Sequence, residues 1–405
     1  MIFEEMKNKD QKEAFLAKRR AAIASNAAEV DGMEAYILTE RFDKDIQRLI
    51  EGDYYFDLPK LIMLRKGQSN RKRKVFSFSL ENKILLQYLT FMLMERYDNT
   101  FPKSLYSFRK DNPVGKLFKT IRNYDPHREK YIIKTDVKSF GESIDPAILG
   151  EKLKPYLADE PELYSFIMWL ITRNRYYRNG KVEEGFTSVL PGNPIVTFLQ
   201  NVFLLEADRF MEENVRICSR YTDDICMICE DESSAERLMG QLRKIITDLG
   251  LSMNEEKTCI VPPGADYDLL GIKFAPDMVD IAENTFLKVS YKMKHRADSI
   301  CRRVKKGRLT KEDGLRLMAG YIRFYYYGRG ENGWISWGDK FFPCITTDES
   351  LKKLDHLSQE CLRYVATGRR TNAKYRFRYE DIRDTGYVPL VRDYYSRMEE
   401  HAQSF

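Results

Sequence analysis

The sequence has few of the features that mark membrane-spanning, secreted or histidine-based metal proteins. No run approaches about 18 uninterrupted apolar residues, so we expect no membrane span. The 7 cysteines are odd in number and scattered over 405 residues, which favours reduced thiols over a disulfide framework. Only 4 histidines are present, which leaves little material for a histidine metal site or triad. The acidic Glu4 and Glu5 argue against a signal peptide, so we expect a cytoplasmic protein.

The composition is that of a globular protein, with 43% hydrophobic and 32% charged residues. Positive charge is concentrated near the end of the sequence. Residues 285–405 contain 25 Lys and Arg against 15 Asp and Glu, whereas residues 1–284 contain 42 against 46. A neutral-to-acidic body with a basic lobe is typical of a protein that handles polyanions.

The periodicity of apolar residues predicts an α+β chain whose links are mostly hairpin-length. Helices are predicted over 1–52, Glu81–Tyr97, 146–175, Ile195–Met211 and 233–249. Strands are predicted on both sides of a basic turn at 67–74, at Tyr131–Asp136, on both sides of Asn179-Gly180, within Cys218–Cys229, and near Thr258–Val261 and Leu269–Phe274. After residue 285 the pattern becomes helical and basic.

Three carboxylates stand at the ends of predicted strands. Asp136 ends an apolar strand, and Asp223 and Asp224 occupy the tip of an apolar hairpin. Carboxylates beside buried strands repel one another unless a cation joins them, and such hard oxygen ligands suit Mg²⁺. An Asp-Asp pair is also a common polar hairpin turn, so this reading stays open for the pair taken alone.

The order of the motifs resembles that of bacterial reverse transcriptases of the retron-like and defence-associated ("unknown group", DRT-type) family. The boxes that carry the resemblance are Ser107-Phe-Arg109, Asp136-Val-Lys-Ser-Phe140, Leu190-Pro-Gly-Asn-Pro194, Tyr221-Thr-Asp-Asp224, Leu249-Gly-Leu-Ser-Met-Asn254-Glu-Glu-Lys257 and Leu269-Leu-Gly271. They run in family order over about residues 57–275. The resemblance implies a right-hand polymerase with fingers, a palm built on an antiparallel sheet, and a helical thumb.

The resemblance also implies a division of the chain. The expected parts are an N-terminal helical extension at 1–56, fingers at 57–130, a palm at 131–284 that includes fingers helices at about 146–185, and a basic helical thumb or RNA-binding region at 285–405.

The resemblance assigns roles within the catalytic centre. Asp136, Asp223 and Asp224 would be the catalytic carboxylates, holding two Mg²⁺ ions for which Mn²⁺ could substitute, with the carbonyl of Val137 as a further ligand. Lys257 matches the position that protonates pyrophosphate, although a solvated lysine after a turn is the other reading.

The incoming nucleotide has its own predicted contacts. These are Arg73 and Lys74, with the register against Arg71 and Lys72 left open, together with Phe140, Gly141 and Gly192.

Two positions depart from the family pattern. Gly141 stands where a tyrosine or phenylalanine usually blocks a 2′-hydroxyl, so either Phe140 substitutes through a shifted turn or sugar selectivity is relaxed. Pro191 stands where a glutamine usually precedes the glycine, which removes a donor near the nucleotide.

Nucleic-acid contacts are predicted outside the carboxylate centre. Arg109 contacts template or nucleotide, or else forms a structural ion pair. In the basic lobe, the predicted contacts are Lys288, Lys292, Arg296, Arg302 and Arg303, while Val289, Met293 and Ile300 face inward. Tyrosines interleaved with arginines around 321–329 and 364–379 could stack unpaired bases, although Phe324 and Tyr325 also fit a core.

The pair Cys226 and Cys229 lies in an apolar strand and is interpreted as buried free thiols.

The resemblance therefore predicts an RNA-directed DNA polymerase. Its partners would be dNTPs, a DNA product and an RNA template, the last a cognate structured noncoding RNA used in bacterial antiviral defence. No membrane is involved, and a homo-oligomer or a companion protein stays open. Two alternatives remain: untemplated, protein-primed or ribonucleotide polymerisation on the same fold, and a non-catalytic, maturase-like RNA-binding protein.

Overall fold

The computed structural model of the chain describes residues 1–22, 27–65, 72–109, 114–125, 127–185, 191–328 and 336–403. Packing divides the chain into two units. The first comprises Met1–Asp125 with Glu129–Pro263, and the second comprises Gly264–Phe405 with Pro126–Arg128. The fourfold division predicted from the sequence is finer than this and stays a prediction. None of the described helices is both long and apolar enough to cross a membrane.

Helices surround the large hydrophobic core of the first unit. They are α1 (Ile2–Glu5), α2 (Lys9–Ala22), α3 (Ala27–Ile37), α4 (Glu40–Glu51), α5 (Leu80–Tyr97), α6 (Val114–Tyr124), α7 (Phe140–Ser143), α8 (Pro146–Leu153), α9 (Pro161–Thr172), α10 (Val196–Phe203), α11 (Leu205–Asn214) and α12 (Glu232–Asp248). Helix α4 shows why they form, because Phe42, Ile46 and Leu49 recur at helical spacing and are all buried. The apolar stripe predicted for α5 is likewise buried.

Two predicted helices are each divided in the structure. The segment 146–175 forms α8, which ends at Leu153, and α9, which begins at Pro161, a residue suited to the first turn of a helix because the N–H it lacks would have no partner there. The segment predicted as one helix over Ile195–Met211 forms α10 and α11, which separate at Leu204. The residue types around Leu204 do not explain that break.

Strands of the first unit form two sheets. They are β1 (Lys60–Arg65), β2 (Lys72–Ser77), β3 (Tyr131–Asp136), β4 (Arg175–Arg178), β5 (Lys181–Glu184), β6 (Ile217–Tyr221), β7 (Asp224–Cys229) and β8 (Cys259–Val261). One sheet has the order β2-β1-β4-β5. Its β4–β5 hairpin turns at Asn179 and Gly180, both with positive φ, which confirms the predicted Asn-Gly turn. Residues 66–71, which include most of the predicted basic turn, lie outside the described residues.

The other sheet carries the predicted acidic strand ends. Its order is β6-β7-β3-β8, and each neighbouring pair is antiparallel. Ile133, Ile225 and Met227 are buried within it, and α12 packs on β3 and β7. This central antiparallel sheet with helices packed on it confirms the predicted α+β class and the antiparallel sheet expected of a palm.

The second unit combines a small sheet with long helices. Its strands β9 (Tyr267–Leu269), β10 (Ile272–Phe274) and β11 (Val279–Ile281) pair antiparallel in the order β11-β10-β9. Its helices are α13 (Glu283–Lys305), α14 (Lys311–Tyr327), α15 (Trp337–Phe341), α16 (Glu349–Thr367), α17 (Tyr379–Asp384) and α18 (Leu390–Gln403). Helices α13, α14 and α16 pack against one another, as the helical periodicity after residue 285 predicts.

Candidate active site

The three predicted carboxylates meet at one edge of the central sheet. Antiparallel pairing of β3 with β7 places Asp136 directly opposite Asp224. Asp223 lies in the turn that joins β6 to β7, and the N–H of Val137 donates to its carbonyl oxygen at 3.2 Å. Thr222, with φ of 58°, directs its hydroxyl to Asp223 Oδ1 at 2.7 Å. Carboxylates that are 87 residues apart in the sequence are thus brought together by strand register and by the turn.

A third segment is held against the same edge. The N–H of Asn254 donates to the carbonyl oxygen of Asp136 at 2.8 Å, and the N–H of Lys138 donates to the carbonyl oxygen of Ser252 at 2.9 Å. These bonds bring Lys257 to Asp136, where its Nζ forms a salt bridge with Oδ2. The lysine side chain remains 61% exposed, so it is both solvated and paired.

The electrostatics of this edge are those of crowded negative charge. Burial, together with the adjacent charge of Asp223, raises the pKa of Asp224 to about 6. Partial burial opposes the charge on Lys257, but the hydrogen bond to Asp136 and the neighbouring carboxylates raise its pKa above the ordinary lysine value. The lysine therefore carries its proton at neutral pH.

The side chains at this edge are of the kind that bind a hard cation, although they are not arranged as a closed metal site. Among the described residues, no group of three or more His, Cys, Asp or Glu side chains is arranged closely enough to hold a metal ion. Asp136 is buried, however, and its Oδ1 has no hydrogen-bond partner among those residues. A buried carboxylate oxygen without a donor is a position where a hard cation can bind. The Val137 carbonyl stays a predicted ligand.

A buried ion pair that the sequence reasoning missed supports the acidic hairpin. Arg220 and Asp208 are both fully buried, and Nε and Nη2 of Arg220 donate to the two oxygens of Asp208, each at 2.6 Å. Nη1 also donates to the carbonyl oxygen of Thr222 at 3.0 Å, within the turn that carries Asp223. Burial raises the pKa of Asp208, and the bonds from Arg220 oppose that shift.

The network continues into α10 and the loop after α5. Nη2 of Arg220 donates to the carbonyl oxygen of Asn201 at 3.3 Å, and the side chain of Asn201 bonds both the hydroxyl and the carbonyl oxygen of Ser107. Two sequence signals could have indicated this network. Arg220 interrupts a strand beside the acidic turn, and Asp208 shares an apolar helix face with Leu205 and Met211, so each buried charge requires a partner.

Arg109 forms a structural ion pair, which is one of the two roles predicted for it. Its Nε donates to Asp98 Oδ1 at 2.7 Å, and its Nη1 donates to the carbonyl oxygen of Pro102 at 2.9 Å. The side chain is only 10% exposed. These contacts account for its guanidinium without a nucleic acid, so the predicted template contact gains no support.

The turn after β3 sends Phe140 into the core. Its ring is buried and lies 6.4 Å from that of Phe203. Phe140 therefore does not replace the missing aromatic side chain at Gly141, and the shifted-turn hypothesis is wrong for this conformation. A Cβ at Gly141 would come within 3.1 Å of Gln200 Nε2, the far end of a flexible side chain.

Gly192 is required where a loop packs against β2. It has φ of 101°, and a Cβ there would come within 2.7 Å of the carbonyl oxygen of Phe76. The N–H of Phe76 donates to the carbonyl oxygen of Pro191 at 2.8 Å, which joins this loop to the predicted fingers strand. In that strand Lys74 is exposed, as a triphosphate contact requires, whereas the side chain of Arg73 lies outside the described residues.

The predicted basic surface lies on α13 of the second unit. Lys288, Lys292, Arg302 and Arg303 are exposed, and Arg296 is half-buried. Val289, Met293 and Ile300 are buried, so the predicted inward face of this helix is confirmed.

Aromatic rings from α14 extend this surface. Lys292 Nζ lies 5.3 Å from the ring centroid of Tyr325, and the guanidinium carbon of Arg296 lies 5.2 Å from that of Tyr321. The suggestion that Phe324 is a core residue is wrong, because Phe324 is 46% exposed and the buried aromatic residue is Tyr326.

The cysteine pair in β7 is reduced, with no disulfide bond between its two members. Cys226 and Cys229 are both buried, as predicted. Burial raises the pKa of the Cys229 thiol to about 11, which disfavours the thiolate that a metal would need.

Part of the chain is similar to known proteins. The family model described as reverse transcriptase (RNA-dependent DNA polymerase) matches residues 64–274. The group II intron-encoded protein LtrA of Lactococcus lactis subsp. cremoris is 21% identical over 172 residues, which are 42% of this chain but 28% of LtrA, and LtrA from strain MG1363 matches equally. The chain thus spans under a third of the curated relatives it matches.

A solved structure of apo telomerase from Candida tropicalis, truncated from its C-terminal domain, covers 55% of both chains. It has a TM-score of 0.44 and 12% identity.

The buried ion pair generates a stability prediction. Changing Asp208→Asn leaves the Arg220 charge buried without its counter-ion, so we expect the free energy of unfolding to fall by about 3–5 kcal/mol. Glu206→Gln in the same helix is the control. It removes only an exposed partner of Lys152, and we expect a loss below about 1 kcal/mol. Denaturant unfolding measures both, and equal losses would contradict the inferred role of the pair.

The raised pKa of Asp224 generates a pH prediction. A carboxyl whose folded pKa lies above its unfolded value contributes stability at low pH that is lost as pH rises through about 6. In EDTA, Asp224→Asn should therefore melt at a higher temperature than wild type at pH 7.5, and the difference should shrink towards pH 4.5. A difference independent of pH would argue against crowded charge at this edge. Asp248→Asn, at the end of α12, is the control.

Proposed function

We propose that this chain, which belongs to the reverse transcriptase (RNA-dependent DNA polymerase) family, copies RNA into DNA from the site formed by Asp136, Asp223 and Asp224. The observation that carries the proposal is the pairing of Asp136 with Asp224 beside the Asp223 turn, with Lys257 held against the same edge. All four residues lie within the part of the chain that matches the family. The activity of the whole protein remains part of the proposal.

The carboxylates are suited to hold Mg²⁺, or Mn²⁺ in its place, two ions being expected. Bound there, the metal would supply Lewis-acid activation of a 3′-hydroxyl and neutralise charge on the triphosphate. The residues of the chain orient these carboxylates. Asp136 is oriented by its position at the end of β3 and by the segment around Asn254. Thr222 and the Arg220 network orient the turn that carries Asp223.

Lys257 is the proposed proton donor. Its raised pKa keeps the proton on Nζ at neutral pH, and release from Asp136, one of the contacts that raise this pKa, would let Nζ donate its proton to the pyrophosphate as it departs. Exposure of 61% leaves the ammonium accessible to a substrate while Asp136 keeps it near the carboxylates. Lys74, with Arg73, would bind the triphosphate, and the loop at Gly192 would lie beside the nucleotide.

The template is proposed to be a cognate structured noncoding RNA, copied in bacterial antiviral defence. This finer assignment, including the retron-like or DRT-type subfamily, depends on the motif resemblance. The basic face of α13 supports an RNA or duplex partner, since Lys288, Lys292, Arg302 and Arg303 are exposed together. Arg296 adds a buried Nε that has no hydrogen-bond partner among the described residues. Cytoplasmic location and association with a second copy or a companion protein belong to the same proposal.

A second candidate on the same fold is addition of ribonucleotides, with or without a template. The observation that favours it is the burial of Phe140, which leaves no aromatic ring of this turn to exclude a 2′-hydroxyl at Gly141. A non-catalytic RNA-binding role is disfavoured on physical grounds. Burial and the neighbouring carboxylates raise the pKa of Asp224 and so destabilise the folded state at neutral pH, and simple RNA binding has no use for that arrangement.

Sequencing of copurifying nucleic acid tests the main proposal. We expect wild type to carry a defined RNA and DNA complementary to it, and Asp223→Ala/Asp224→Ala to carry the RNA alone. Glu4→Ala/Glu5→Ala is the matched control, because it also removes two adjacent carboxylates, both exposed and outside the proposed site, and should retain the DNA. Homopolymeric or random product would favour untemplated synthesis. RNA with no product that depends on the carboxylates would leave a binding protein.

Sugar selectivity gives a separate prediction. The second candidate predicts that, in single-nucleotide addition, wild type uses ribonucleotides with an efficiency close to that for deoxynucleotides, and that Gly141→Tyr reduces ribonucleotide use by about tenfold or more through a clash with the 2′-hydroxyl. Gly240→Tyr is the control, since nothing lies within 4 Å of a Cβ at that position. Strong discrimination by wild type would show that another group performs the exclusion.

A further inference from the structure

A cleft of about 800 Å³ lies in the second unit between α14 and α18. The wall from α14 includes Arg316, Gly320, Arg323 and Tyr327, which recur at three- and four-residue spacing and so share one side of the helix, together with Phe324, four residues after Gly320. This side differs from the one that carries Tyr321 and Tyr325, whose rings meet the basic side chains of α13. The cleft is thus separate from the basic surface already described.

The charge in the cleft is incompletely balanced. Arg397 of α18 has two carboxylate partners, Asp393 at 2.7 Å and Asp339. Within the described part of the chain, Arg316 pairs only with Asp313 of its own helix at 3.4 Å and is 80% exposed, so that contact neutralises little of its charge.

Arg323 forms no salt bridge with any of the described residues. Its Nη2 lies where a Cβ on Gly386 would come within 2.8 Å, so the glycine, with φ of 76°, leaves room for the guanidinium. Two arginines therefore retain positive charge on one wall, while Asp393, the one carboxylate among the described lining residues, is already paired.

An aromatic ring accompanies these charges. Phe324 is 46% exposed and lines the cleft, although Ile322 and Tyr326 of the same helix are buried in the core. Tyr327 is fixed beside it by a hydrogen bond from its hydroxyl to the carbonyl oxygen of Val388 at 2.5 Å. An exposed ring flanked by arginines presents a flat apolar face together with donors for phosphate oxygens.

We propose that this cleft binds a nucleoside phosphate, with the base stacked on Phe324 and the phosphate bound by Arg316 and Arg323. Stacking on an aromatic face suits any base, and guanidinium groups suit phosphate oxygens, so the ligand class follows from the two features together. The ligand is either a free nucleotide or an unpaired nucleotide of an RNA strand. The site needs no polymerisation and no metal, so it stands whether or not the proposed function holds.

The experiment uses the full chain in EDTA with two probes, AMP and a fluorescent twelve-residue oligouridylate carrying one 4-thiouridine. Arg316→Gln/Arg323→Gln removes the proposed phosphate contacts, and Phe324→Leu removes the ring. The matched controls are Lys311→Gln/Arg383→Gln, which removes two exposed charges outside the cleft, and Tyr395→Leu, which removes an exposed ring from α18. Thermal unfolding of each variant verifies that it is folded.

We expect both cleft variants to weaken binding by about fivefold or more, the low end of the effect of losing one base–aromatic stack, and the controls to bind as wild type does. Loss with both probes identifies a free nucleotide as a sufficient ligand. Loss with the oligonucleotide alone identifies an RNA strand, and its photo-crosslink should then map to the peptide containing Phe324. Unchanged affinity of folded cleft variants for both probes, or equal losses in the controls, would overturn the proposal.

Discussion

The bidentate pair between Arg220 and Asp208 is the constraint on which the acidic edge depends. A fully buried guanidinium cannot shed its charge, so the surrounding groups must meet its donors, and they do so from α10, α11 and the turn at Thr222. The backbone of Arg220 is hydrogen-bonded as well, because its N–H donates to the carbonyl oxygen of Ser104 and its carbonyl oxygen accepts from the N–H of Tyr106. Displacing any of these partners would leave a buried donor unsatisfied, which makes the position of the acidic turn strongly specified.

This rigid support is needed because crowded negative charge destabilises the proposed catalytic edge. Asp136, Asp223 and Asp224 repel one another, and the raised pKa of Asp224 reflects its burial together with that repulsion. Lys257 offsets part of the charge but remains largely exposed, so it can leave Asp136 without disrupting the core. The arrangement combines a stable interior with a surface edge that gains from binding cations and phosphates, as expected for a site that binds a charged substrate.

Much of the fold could be predicted because local patterns agree with the tertiary structure. The stripe of α5, the Asn-Gly turn between β4 and β5, and the inward face of α13 follow from periodicity and turn chemistry, which depend on neighbouring residues. The break at Leu204 could not be predicted from residue types. The burial of Phe140 depends on its packing against Phe203, which is distant in the sequence, and although the sequence signals a partner for Arg220 and allows an ion pair for Arg109, only the structure identifies Asp208 and Asp98 as those partners.

The sequence by itself determined the alternation of helices and strands, the basic composition of residues 285–405, and the carboxylate motifs with their order along the chain. Tertiary structure alone decided which carboxylates face one another, that Lys257 pairs with Asp136, and that Arg316, Arg323 and Phe324 line one cleft. The physical reason is that chain order specifies what each residue can do, whereas strand register and helix packing specify what each side chain meets.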